Sequence, residues 1–172
     1  MTENQKQMVK FKAQLDYVKD TSFKRAFKYA AKEVADRLVE NTPRFFRELD
    51  TSGRTKANWN ITFYGNVGSQ YNENIADFDG DETKSRLKSE IEAFKMNKDT
   101  VITFYNATPW INKLEYGGYP VPSNGSTNPV TGAHEIRTTA GFSNQAPLGI
   151  VIDVELNWTD IAQTALSMAV RG

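Results

Sequence analysis

The stretch that decides the fold is SFKRAFKYAAKEVADRLVE, residues 22–40. Phe23, Phe27, Ala30, Ala31, Val34, Leu38 and Val39 recur every three or four residues, the spacing that gathers apolar side chains on one side of an α-helix. Asp20, Thr21 and Ser22 supply oxygens of the kind that cap a helix start. Asn41-Thr42-Pro43 ends the pattern, because a residue before proline is driven out of the α region. Such a helix is about 30 Å long, so one layer is fixed and the remaining elements must pack on its stripe. Its polar side opens with Lys24, Lys28 and Lys32, four residues apart, and turns mixed through Glu33, Asp36, Arg37 and Glu40. A lysine row of this kind is most often a solvated stripe. With Arg25 it is also the candidate for a surface facing DNA phosphates.

Working outward, residues 1–18 read as a polar extension to a single domain spanning 19–172. A turn is expected at 50–53, and a strand over 58–64, where Trp59, Ile61 and Phe63 alternate with Asn60, Thr62 and Tyr64. Residues 69–82 are polar and acidic, a loop. Leu87, Ile91 and Phe94 then mark a helix over 83–95, and 100–105 reads as a second strand. Pro109 suits the first turn of a short helix ending near Glu115. Residues 118–147 hold four of the six prolines and four of the eleven glycines, and form a long loop or arm with a possible edge hairpin at 133–139. From Gly149, Ile150, Ile152, Val154, Leu156 and Trp158 alternate with Val151, Asp153, Glu155 and Asn157, predicting a strand with one buried face. Asn157 or Thr159 can cap a final helix with Ile161, Ala165, Leu166 and Ala169 inward. The order predicts an α+β domain, a small mostly antiparallel sheet packed by the long N-terminal and the C-terminal helix.

Composition narrows the chemistry. The chain has 172 residues, no cysteine and one histidine, so disulfides, thiolate zinc sites, cysteine nucleophiles and multi-histidine metal sites are outside its means. A chain of this length buries roughly 70% of its unfolded surface and needs no covalent staples. No apolar run approaches the roughly 20 residues of a membrane span, and the first twelve residues lack the apolar core of a signal peptide. These features point to a soluble protein kept in a reducing compartment. Net charge is zero, but residues 1–60 carry 13 Lys and Arg against 8 Asp and Glu, and residues 61–172 the reverse, 8 against 13. That asymmetry suits either an anionic partner for one half or complementary faces in an assembly.

Possible chemical motifs fail on spacing. The acidic run Asp77-Phe78-Asp79-Gly80-Asp81-Glu82 puts glycine fourth and Lys88 twelfth, whereas a calcium loop needs glycine sixth and glutamate twelfth. Thr51-Ser52-Gly53-Arg54-Thr55-Lys56 lacks the first glycine and the Gly-Lys-Ser/Thr order of a phosphate loop. His134 beside Glu135 could abstract a proton, but no nucleophile motif accompanies it. Glu115 and Asp153 could form a carboxylate pair, yet nothing in the sequence sets their separation. Trp110, Tyr116 and Tyr119 suit aromatic packing under the loop or at a subunit interface better than sugar stacking. No enzyme signature and no cofactor motif remains.

Four segments in order, VADRLVENTP (34–43), TSGRTKANW (51–59), FYNATPWINKLEYGG (104–118) and SNQAPLGIV (143–151), resemble the tail-completion, or neck, proteins of long-tailed bacteriophages. The matching positions are Pro43, Ser52-Gly53-Arg54, Trp59, Asn106, Pro109, Leu114-Glu115-Tyr116-Gly117, and Gln145-Ala146-Pro147 with Gly149. Trp110 stands where the family usually has tyrosine, and the segments 44–50 and 117–144 are longer than its common connections. The resemblance implies a virion protein of the neck, assembled in the host cytoplasm, with no catalysis and no cofactor. It implies a homo-oligomeric, six-membered ring around the DNA path, with head-closure, tail-terminator and tape-measure proteins as neighbours and no membrane. Tail terminator or head-closure ring is the alternative station, and a nucleic-acid-binding module using Lys24, Arg25, Lys28 and Lys32 the alternative class. Interface candidates are Arg54, Lys56, Trp110, Glu115, Tyr116, Tyr119 and His134, with 118–147 as a docking arm.

Overall fold

The computed structural model of the chain describes residues 3–43, 53–65, 68–97, 99–117, 126–127, 134–135 and 146–171. Helix α1 spans Glu3–Asn41, far longer than the expected 22–40. The oxygens of Asp20, Thr21 and Ser22 do not start it, because residues 3–20 contain no glycine or proline and are rich in Lys and Gln, which propagate a helix already nucleated beyond them. The expected polar extension is therefore the first half of the same helix.

After α1 come a one-turn helix α2 (Arg54–Ala57), strand β1 (Trp59–Phe63), helix α3 (Asp81–Ala93), strand β2 (Ile102–Asn106) and helix α4 (Ile111–Tyr116). β1 and β2 pair antiparallel, with Trp59 opposite Asn106 and Ile61 opposite Phe104. Two short strands, β3 (Ser126–Thr127) and β4 (His134–Glu135), pair antiparallel within the 118–147 segment. The rest of that segment, including most of the hairpin expected at 133–139, lies outside the described residues, as does most of the 50–53 turn.

The strand expected over 149–158 is not formed. Residues Ile152–Leu156 make a short helix α5, and Trp158–Arg171 make α6. Side-chain burial follows helical spacing: Ile150, Val154, Ile161, Ala165 and Ala169 are buried, whereas Leu156 and Trp158 are 71% and 49% exposed. The alternation over 150–158 is real in the sequence, but a competing four-residue series reaching to Ala169 commits more of the chain to the core. Leu166, expected inward, is 52% exposed for the same reason.

The fold is α+β, with a two-stranded sheet and both long helices against it. α1 packs on α6 and on α3, and meets α5 near its C-terminal end. Its inner surface is small: Ala26, Ala30, Ala31 and Ala35 are all buried, and Ala165 and Ala169 of α6 are buried with them. Leu87 and Ile91 of α3, Leu114 of α4, and Trp59 and Ile61 of β1 complete the core. Phe23, expected on the inward stripe, is instead 58% exposed.

Alanine at these positions allows close helix approach, and interiors packed to crystal density have no room for added carbon. Ala35→Leu should cost about 1–3 kcal/mol by overpacking, read as a fall in thermal midpoint by circular dichroism. Ala13→Leu, at an exposed position of the same helix, should leave the midpoint unchanged.

Candidate functional site

The segments quoted above as motifs meet in three polar joints. In the first, the indole Nε1–H of Trp59 donates to Thr42 Oγ1 at 2.7 Å, and that hydroxyl donates to the Leu38 carbonyl at 2.6 Å. This ties the start of β1 to the last turn of α1, and Thr42 is only 1% exposed. In the second, Trp110 Nε1–H donates to Thr55 Oγ1 at 2.7 Å, and Asn106 Nδ2 donates to the Thr55 carbonyl at 2.7 Å. Asn106 Oδ1 accepts from the Thr108 amide and hydroxyl, while Tyr71 stands edge-on to Trp110. Thus α2, the end of β2 and the entry to α4 are one hydrogen-bonded unit.

The third joint is centred on Glu115. Its Oε2 accepts the backbone N–H groups of Ile150 and Val151 at 2.7 and 2.9 Å. Gly149 has φ +105, and a Cβ there would lie 2.6 Å from the Glu115 carbonyl oxygen, so only glycine lets the two strands of chain come this close. Gly53 plays the same part at the first turn. Its φ is +83, a Cβ would lie 2.3 Å from the Asp77 carbonyl oxygen, and its own carbonyl accepts from Asp77 and Ala57.

Interface candidates therefore divide by exposure. Lys56 is buried at 3%, with its aliphatic stem beneath Gly80. Arg54 and Trp110 are half-buried, and Glu115 is occupied by backbone. Tyr116, one residue on, is 78% exposed. Tyr119 and the side chain of His134 lie outside the described residues. The carboxylates considered for chemistry are likewise engaged. Asp153 accepts from Arg37, Asn41 and Asn157, and Asp77 accepts the Gly80 and Thr83 amides at the start of α3.

The basic row of α1 lies against α3. Lys28 and Lys32 both reach Glu92, the latter at 2.6 Å. Asp36 meets Lys88 at 2.6 Å, and Glu40 meets Lys84 at 3.3 Å. Numbers rise along α1 as they fall along α3, so the helices are antiparallel and the seam reverses its charge half-way. Lys24 pairs with Asp20 on its own helix, and Arg25 is exposed. Partly exposed pairs are worth little each; their uniform pattern fixes register.

A different surface was not anticipated. Tyr116, Leu148, Leu156, Trp158, Leu166, Met168 and Val170 are 49–78% exposed. Tyr116 and Leu148 border an open groove of about 330 Å3 with Glu115, Val151, Ile152 and Glu155. Along α6, Trp158, Ala162, Leu166 and Val170 recur every four residues beside the buried row, and Asp160 and Arg171 are the helix's only charges. The sequence carries that signal as a second four-residue row beside the inward one. Among the described residues, no cluster of acidic or histidine side chains has the makings of a metal site, and no helix is long and apolar enough to cross a membrane.

No family model, curated protein or solved structure matches the chain.

Two outcomes follow from this geometry. Glu115→Ala leaves two half-buried amides without an acceptor and should cost about 2–3 kcal/mol, measured by denaturant unfolding; Tyr116→Ala should cost far less. The seam should also weaken at both ends of the pH scale. Hydrogen bonding from Lys32, then its charge, holds the Glu92 carboxyl below the usual range, so its contribution is complete above the ordinary glutamate value and is lost as pH falls through the lowered one. The Lys84 ammonium is raised, chiefly by its hydrogen bond to Asp81, so its contribution is lost as pH rises through the raised value. Glu92→Gln should flatten the acid limb of the midpoint–pH curve and leave the alkaline limb in place.

Proposed function

We propose that the chain is a structural subunit of a tailed-bacteriophage virion, forming a homo-oligomeric ring in the neck that completes the tail and joins it to the head around the DNA path. The observation that carries this reading is the exposed apolar surface from Tyr116 and Leu148 to Val170. The row Trp158, Leu166 and Val170 left in water along α6, with Tyr116 and Leu148 exposed at the groove, is the kind of apolar surface that another protein covers. The ordered resemblance of the four motif segments supplies the kind of assembly, and the joints at Trp59, Trp110 and Glu115 give those motif residues a role in holding the subunit's shape.

The alternative of a DNA-binding surface on Lys24, Arg25, Lys28 and Lys32 has less support, since three of these four cations already have carboxylate partners within the chain. The same pairs neutralise part of the basic first half internally. Contact between subunits then relies more on the uncharged α6 row than on opposite charges.

The test is deletion of the gene in its phage. Heads and near-complete tails that fail to join are the expected result; tail tubes of uncontrolled length would instead assign the terminator station, and normal virions would end the neck reading. In the purified protein, Leu166→Asp should lower the native mass to that of a monomer while the thermal midpoint moves by no more than a few degrees, because Leu166 lies outside the core.

A further inference from the structure

The α6 row is not the only apolar face that the fold leaves in water. Phe23 and Phe27 of α1 stack with ring centroids 6.2 Å apart. With Lys24, Met96, Asn97 and Thr100 they line an open cleft of about 50 Å3. Asn97 Nδ2 reaches the Tyr64 hydroxyl at 3.5 Å, and Tyr64 stands edge-on to Phe94, which stacks on Phe63. The Tyr64 amide donates to the Val101 carbonyl at 2.9 Å. Phe23, Tyr64 and Val101 are 58%, 55% and 54% exposed. One continuous face, mostly aromatic, thus runs from α1 past the end of α3 to the start of β2. It is separate from the α6 row, since α3 and α6 each pack on α1 and scarcely touch each other.

A ring closes through heterologous contacts, in which each copy offers one surface and receives its neighbour on a different one. The α6 row is a surface to offer. We propose that the face around Phe23, Tyr64 and Val101 receives the α6 row of a second copy of this chain. This rests on the ring reading and adds the second surface that a ring needs. Row against row would leave the Phe23 face in water, whereas row against face covers both. Charge favours the same match. Glu115 and Glu155 line the groove beside the row, and Asp160 lies in the first turn of α6, with Arg171 at its far end. Around the Phe23 face the balance is basic. Lys24 lines the cleft, and Arg25 and Lys95 are exposed with no ion pair among the described residues, against one exposed carboxylate, Asp99. Opposite charges at the rim of a contact select the partner and speed its approach more than they strengthen it. The cleft itself has room for one aliphatic side chain, and the row offers Leu166 and Val170.

Complementation between two full-length variants tests this. Leu166→Asp spoils the surface offered and Val101→Asp the surface that receives. Both residues lie outside the core, so each variant should melt within a few degrees of the wild type. In sedimentation, each alone should be a monomer. An equimolar mixture should form a dimer of one copy of each and nothing larger, because one intact pair of surfaces remains. Adding Lys95→Glu to the Leu166→Asp chain should slow that association about threefold, and Asp160→Lys in the Val101→Asp chain should recover most of the loss. A mixture that stays monomeric would overturn the proposal, as would a charge reversal without recovery. Val101→Asp assembling by itself to the wild-type mass would also overturn it, placing the receiving surface elsewhere. With Leu166→Asp monomeric, that result would leave the ring reading standing and this one rejected. A wild-type chain that is monomeric at every concentration would remove both.

Discussion

The two longest of the other helices, α6 and α3, take their positions from α1, whose inner surface between residues 26 and 35 is lined with alanine. Alanine has no side-chain rotamers to order and leaves the helix backbone close to its neighbours, so α6 approaches on one side and α3 on the other without either displacing the core. A helix approached from two sides needs two kinds of contact. On the α6 side these are almost wholly apolar, Ile161, Ala165 and Ala169 against α1. On the α3 side, Leu87 and Ile91 are buried, and the ion pairs at residues 28, 32, 36 and 40 flank them. Apolar contact is indifferent to register; the reversal of charge along the seam is not. A slide of α3 by one turn would bring Lys88 toward Lys32, so the seam selects one alignment even though each pair contributes little energy.

How much of this was legible depends on whether a pattern had one reading or two. The C-terminal end of α1, the alternation of β1 and the helix expected over 83–95 each had a single solution, and the structure adopts it within a residue or two. Residues 150–158 had two: apolar at every second position, and apolar at Ile150 and Val154, continuing to Ile161 and Ala165. Local periodicity cannot separate these, because the deciding term is the burial of the longer series against α1, which is tertiary. The start of α1 was misjudged for a related reason. Capping oxygens at 20–22 signal a possible helix start, but an amide that already has its partner four residues upstream does not need a cap.

The candidate site was legible in a more limited sense. Asn106, Trp110, Glu115 and Gly149 could be picked out from the order of the motifs, but not their work. Buried hydroxyls at Thr42, Thr55 and Thr108 gave no signal at all, because a threonine that bonds an indole or an amide side chain looks, in sequence, like any other. These residues turn backbone toward backbone and satisfy donors that the turns would otherwise strand. They hold the shape of the fold, and so a pattern of residues that marks a fold need not mark the surface through which it acts.

That separation places function on what the joints leave outside. Tyr116 follows Glu115 directly, and Leu148 precedes Gly149, so each anchored residue fixes the direction of an exposed apolar neighbour. Glu115 and Gly149 close the two chain segments on each other, and Tyr116 and Leu148 become part of the rim of a groove shared with Ile152 and Glu155. Such a surface is preorganised, because its shape is set by half-buried charge-to-amide bonds. The zero net charge of the chain then has a physical sense. With the lysine row matched by carboxylates within the chain, much of the basic first half is neutralised internally.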